Sequence, residues 1–187
     1  AKEARDEYLE NGVVTRPLIE SAIDLARIDG IYRGGEPPAN LGEYEDGDIV
    51  DCIRLIEILD SSDALDGERV HLNPAFGLGS VFVGGADADA ILNGTLIDVK
   101  TTSKSTFKID YWRKLVGYLV LADIHKRLHE MGIYDQFGFA NGPDYRQLPE
   151  IDSFGVYFAR HGELSTESSN LVYESDGYSD FRSWFIE

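Results

Sequence analysis

Four residues around one Asn-Gly dipeptide carry the chemistry legible in this sequence: Asp87, Asp89, Asp98 and Lys100. Asn93-Gly94 between two apolar runs is a hairpin signal, because a type I′ turn needs positive φ at both central residues. A two-residue turn fixes the register. It sets Leu92 opposite Thr95, Ile91 opposite Leu96, Ala90 opposite Ile97 and Asp89 opposite Asp98, with Asp87 facing Lys100. Opposed residues project to one face, so the three aspartates and the lysine share a face, and Ala88, Ala90, Ile97 and Val99 share the other. Two carboxylates roughly 5 Å apart at Cβ repel unless a cation lies between them. Hard oxygen donors suit Mg²⁺ or Mn²⁺. The lysine is then suited to balance charge, hold an attacking water or steady a phosphate. Small residues nearby (Gly84, Gly85, Ala86, Ala88, Ala90) leave room for a bulky ligand. The competing reading is a solvent-facing hairpin in which Asp87 and Lys100 form a surface ion pair.

The elements that must hold this hairpin are readable from periodicity. Residues 3–10 and 17–29 are expected as helices, the second from Leu18, Ile19, Ala22, Ile23 and Ala26 at helical spacing. The loop 34–38 (Gly-Gly-Glu-Pro-Pro) marks a boundary between an N-terminal helical extension, 1–40, and a main domain, 41–187. Residues 48–59 form an amphipathic pattern on Ile49, Cys52, Ile53, Ile56 and Leu59. Strands are expected over 69–72, 80–92 and 95–101. A long helix follows from an Asp110 N-cap to about Met131, with Gly132 past its end. A buried strand over 153–160, a turn at His161-Gly162 and a terminal helix at 180–186 complete the chain. The central order is α-β-β-β-α-β.

Gly85-Ala86-Asp87-Ala88-Asp89-Ala90-Ile91, followed by Thr95-Leu96-Ile97-Asp98-Val99-Lys100-Thr101-Thr102, resembles the PD-(D/E)XK nuclease superfamily, especially its lambda-exonuclease and RecB-like branches. Arg113-Lys114-Leu115-Val116-Gly117-Tyr118 is similar to their Q-x-x-x-Y helix motif, with Lys114 where the glutamine stands. The likeness covers about residues 45–160. It implies an α/β (α+β) fold with a restriction-endonuclease-like αβββαβ core and a mixed central sheet flanked by helices. It also implies that Asp89, Asp98 and the Val99 carbonyl hold Mg²⁺ or Mn²⁺ and that Lys100 positions or activates the hydrolytic water. Asp87, Lys114 and Tyr118 are then the supporting or substrate-facing residues. An upstream helical glutamate belongs to the pattern; Glu57 is the first candidate, with Glu20 and Glu43 as rivals. The implied activity is metal-dependent hydrolysis of DNA phosphodiester bonds, in defence, recombination or repair. The alternative is a nuclease-fold module that binds nucleic acid or a partner protein without cleaving. A looser likeness, through Asn73-Pro74-Ala75-Phe76-Gly77, to bacterial proteins with a similar run implies no activity.

Charge is compatible with that reading only locally. The chain carries a net −17, which repels a phosphate backbone. Residues 99–128, however, hold seven basic residues (Lys100, Lys104, Lys108, Arg113, Lys114, Lys126, Arg127) against Asp110 and Asp123, a net +5, so the remainder stands at −22. No run of about 18 apolar residues offers a membrane span. The first residues, Ala1-Lys2-Glu3-Ala4-Arg5, carry no apolar leader stretch, and the single Cys52 cannot form an internal disulfide, so a cytoplasmic location is the expectation. His125 and His129, four apart without the intervening glutamate of a zinc motif, are expected as a helix-surface pair. Gly77-Leu78-Gly79 precedes an expected strand and is no dinucleotide fingerprint. No phosphate-binding G-x-x-x-x-G-K-S/T loop occurs.

Overall fold

In the computed structural model, which describes residues 1–34, 38, 40–139 and 142–186, the chain divides into two compact units, Ala1–Ser61 and Ser62–Glu187. The 40/41 boundary expected from the sequence falls inside the first unit, and most of the Gly/Pro loop that marked it lies outside the described residues. The first unit holds helices α1 (Lys2–Asn11), α2 (Arg16–Gly34) and α3 (Asp46–Asp60). Among the described residues, Ile19 and Ile49 are its buried apolar positions. Arg16 at the start of α2 reaches Glu20 at 2.7 Å and Asp46 at 2.8 Å, and Arg27 donates to the carbonyls of Asn40 and Glu43.

The second unit is built on a five-stranded mixed sheet in sequential order: β1 (Val70–Leu72), β2 (Ala90–Leu92), β3 (Thr95–Lys100), β4 (Ser153–Phe158) and β5 (Glu163–Ser168). β1 pairs with β2, and β2 with β3, antiparallel. β3 and β4 are parallel, and β5 returns antiparallel beside β4. A parallel pair needs a long crossover. Here helix α5 (Ile109–Glu130) lies in that connection. In chain order α3-β1-β2-β3-α5-β4 is the α-β-β-β-α-β series read from the sequence, with a short helix α4 (Leu78–Phe82) between β1 and β2. The short helices α6 (Ile133–Gln136) and α7 (Asn170–Tyr173) and the terminal α8 (Tyr178–Ile186) complete the unit. Among the described residues no helix is long and apolar enough to cross a membrane.

The core follows from α5. Leu115, Leu119, Val120 and Ala122 are buried on it and cluster with Ile91, Leu96, Phe154, Val156 and Phe158 from the sheet. β4, between β3 and the edge strand β5, is apolar along almost its whole length and buried from Phe154 to Phe158. That is the pattern of a strand covered on both faces.

Three expectations are corrected. Residues 80–92 are not one strand: Leu78–Phe82 is helical, and Gly84 and Gly85 at φ 78 and 107 turn the chain before β2 begins at Ala90. Only glycine enters that region without Cβ strain, so the strand-prone apolar run Val81-Phe82-Val83 is cut off from the strand it would otherwise extend. Asp110 does not cap α5; Lys108 stands at the N-cap, and Asp110 lies in the first turn paired with Arg113 at 3.1 Å. His125 is no surface residue: it is 1% exposed, bonded through Nδ1 to the Tyr134 hydroxyl and through Nε2 to the Arg146 carbonyl. α5 is covered around most of its circumference, so periodicity alone misplaces its polar face.

Candidate active site

The turn that sets the site is built as its residues require. Asn93 and Gly94 have φ 47 and 88, and the pairs Leu92–Thr95, Ile91–Leu96 and Ala90–Ile97 form in the predicted register. The fourth pair, Asp89 opposite Asp98, does not form. β2 begins only at Ala90, and the chain before it is tied to the other side: Asn73 donates to the Asp89 carbonyl at 3.1 Å, Ala88 donates to the Pro74 carbonyl at 3.2 Å, and Asp87 bridges Ala75. Backbone bonds to 73–75 thus peel this segment away from β3. Asp89 returns through its side chain, whose Oδ2 accepts the Val99 N–H at 2.5 Å.

Asp98 is the centre of the arrangement. It sits on β3 in the same alternation as Leu96, under α5, and is fully buried. A buried carboxylate persists as a charge only when paired. Two lysines supply the pairing. Lys114 Nζ lies 2.6 Å from Oδ1, and the Lys100 ammonium meets Oδ2 as an ion pair, although Oδ2 makes no hydrogen bond of regular geometry. The lysine expected to face Asp87 therefore serves Asp98, while Asp87 itself is exposed.

Aromatic rings seat both cations. Lys114 Nζ is 5.2 Å from the Tyr118 ring one turn along α5, and Lys100 Nζ is 5.2 Å from the Tyr111 ring. Burial works against the charge on Lys114, but its hydrogen bonds to Asp98 and the Tyr118 hydroxyl, with their Coulombic attraction, outweigh that and hold its pKa above the usual lysine value. Tyr118 is pushed up chiefly by burial, opposed by Lys114 and reinforced by the charges of both Asp98 and Asp89. Both carboxylates therefore act on one phenol, which puts Asp89, Asp98, Lys114 and Tyr118 in one neighbourhood.

Sequence reasoning missed two contributors. Tyr111 follows Lys100 only after an irregular loop, so no periodicity links them; the clustered Phe107, Tyr111 and Trp112 were the available signal. Arg160 reads in the sequence only as part of a hairpin turn, yet its Nε donates to the Thr101 carbonyl at 2.8 Å, beside the end of β3. The three upstream glutamates, Glu57, Glu20 and Glu43, all belong to the first unit.

Among the described residues no group of three or more His, Cys, Asp or Glu is gathered to hold a metal. Two carboxylates are the modest complement that suits Mg²⁺, which keeps several waters and is bound through one or two carboxylates plus substrate phosphates. A buried Asp98 Oδ2 without a regular hydrogen bond fits such a role. Comparison of the chain with family models, curated proteins and solved structures finds no match.

Proposed function

We propose that this protein is a divalent-metal-dependent nuclease that hydrolyses DNA phosphodiester bonds, with the restriction-endonuclease-like core of the PD-(D/E)XK superfamily it resembles. The observation that carries the reading is the fully buried Asp98 on the central strand β3, held between two lysines beside Asp89. Asp89, Asp98 and the Val99 carbonyl would hold Mg²⁺ or Mn²⁺. When bound, the cation would polarise a phosphoryl oxygen, lower the pKa of a coordinated water and offset developing charge. Lys100, anchored on Asp98 and the Tyr111 ring, would orient the attacking water and steady a non-bridging phosphate oxygen. Asp89 keeps Val99 in place through its backbone amide. The basic stretch that continues through Lys104, Lys108 and Arg113 offers a path for the phosphate backbone on an otherwise acidic chain.

A second reading is a nuclease-fold module that binds nucleic acid or a partner protein without cutting it. The specific observation in its favour is that both Asp98 oxygens already face ammonium groups. Incubation of the protein with linear and circular DNA, with Mg²⁺ or Mn²⁺ and with chelator, separates the two. Metal-dependent cleavage lost in Asp98→Ala and Lys100→Ala variants of native fold supports the nuclease; binding without cleavage supports the module.

A further inference from the structure

The site holds a cation of its own that no divalent ion can ignore. Lys114 Nζ stands 2.6 Å from Asp98 Oδ1, Lys100 occupies the side of Oδ2, and Asp89 Oδ2 is spent on the Val99 N–H. Asp89 and Asp98 against Lys100 and Lys114 sum to zero formal charge. A divalent ion entering this neutral set meets two ammonium groups at close range, and like charges inside a poorly solvated site repel strongly.

The two lysines differ in freedom. Lys100 is 21% exposed and held by its strand, whereas Lys114, on α5, is 43% exposed. Its butyl stem can swing so that the ammonium reaches water or an anion while the helix stays still. The anion that would draw it is a phosphate of the nucleic acid.

We propose that Lys114 is a displaceable counter-ion: it neutralises Asp98 until a nucleic-acid phosphate takes its ammonium, so that divalent cation and nucleic acid load together. This rests on the nuclease reading and adds a coupling to it. Lys114 is then a positioning and gating residue. Cation affinity without nucleic acid is weak, and each ligand strengthens the other by the same factor, as linkage requires.

Mn²⁺ binding to the full chain is measured by calorimetry for wild type, Lys114→Gln and Lys114→Arg, each with and without short phosphorothioate-linked DNA. Glutamine is one atom shorter but keeps an N–H donor and removes the charge. Without DNA, Lys114→Gln binds Mn²⁺ about tenfold tighter or more, within the roughly 5–150-fold span of coupled sites, and Lys114→Arg keeps the wild-type affinity. DNA tightens Mn²⁺ on wild type by a similar factor and changes Lys114→Gln little. Equal Mn²⁺ affinities for wild type and Lys114→Gln overturn the gating role and leave the nuclease reading standing. No Mn²⁺ binding to any variant, with or without DNA, overturns both.

Discussion

Removing both lysines from Asp98 isolates the cost of a buried charge in this fold. Asp98 is fully buried, whereas the lysine side chains remain 21% and 43% exposed. The pairing is therefore asymmetric. Lysines that lose Asp98 can turn to water, but Asp98 has nowhere to go. A single Lys114→Met change deletes a pair that is nearly half exposed, and such pairs contribute about 0–1 kcal/mol. The Lys100→Met/Lys114→Met double variant leaves an uncompensated buried carboxylate, a change that costs about 3–5 kcal/mol. Adding Asp98→Asn to the double variant exchanges the charge for a neutral amide and recovers most of that loss, because burying a neutral polar group costs far less than burying an ion. At about 2–4 °C per kcal/mol for a chain of this size, the double variant melts roughly 10 °C below wild type. Urea unfolding followed by tryptophan emission reads this in the right place. Both tryptophans, Trp112 and Trp184, lie in the 62–187 unit, and Trp112 packs edge-on against Phe154 at 5.1 Å. A double variant within about 1 kcal/mol of wild type, or a triple variant no more stable than the double, would show that Asp98 is not held as a buried charge by the two lysines.

Two further expectations concern the packing under α4. Gly77, at φ 56, has its Cβ direction aimed at the Tyr134 hydroxyl and His125 Nδ1, so Gly77→Ala costs about 1–3 kcal/mol in urea unfolding; an unchanged midpoint would show that the contact yields freely. Burial pushes the His125 pKa below its ordinary 6.5, so the folded chain binds fewer protons there than the unfolded one. Stability is then full above about pH 6.5 and falls as pH drops toward the depressed folded value, by at most about 1.4 kcal/mol per pH unit. His125→Gln, less stable at neutral pH, should lose less on acidification, and an identical pH slope in both proteins would count against the assignment.

How much of this was legible depends on whether the signal was local. The Asn93-Gly94 turn and three cross-strand pairs were readable because the dihedral demand and the register both follow from two adjacent residues. The α5 helix and the apolar β3 and β4 were readable from length and pattern. The fourth pair was not, because a competing ladder from Asn73 to Ala75, distant in sequence, captures the Asp87–Asp89 backbone. β5, Glu-Leu-Ser-Thr-Glu-Ser, is an exposed edge strand with no apolar alternation to betray it, and only pairing to β4 creates it. Lys114 was readable as a neighbour of Tyr118 from its i, i+4 spacing. Its grip on Asp98 depends on how α5 lies across β3, a tertiary fact with no local signature.

The central claim is that Asp89 and Asp98 together form a divalent-cation centre. Crystals of the protein grown with Mn²⁺ and short phosphorothioate-linked DNA test it directly through anomalous difference density. A cation centre at these residues gives one peak in coordination contact with carboxylate oxygens of both aspartates, with Lys114 turned away from Asp98 toward a phosphate. Bound DNA with no peak at these residues, and Lys114 still on Asp98, would contradict it.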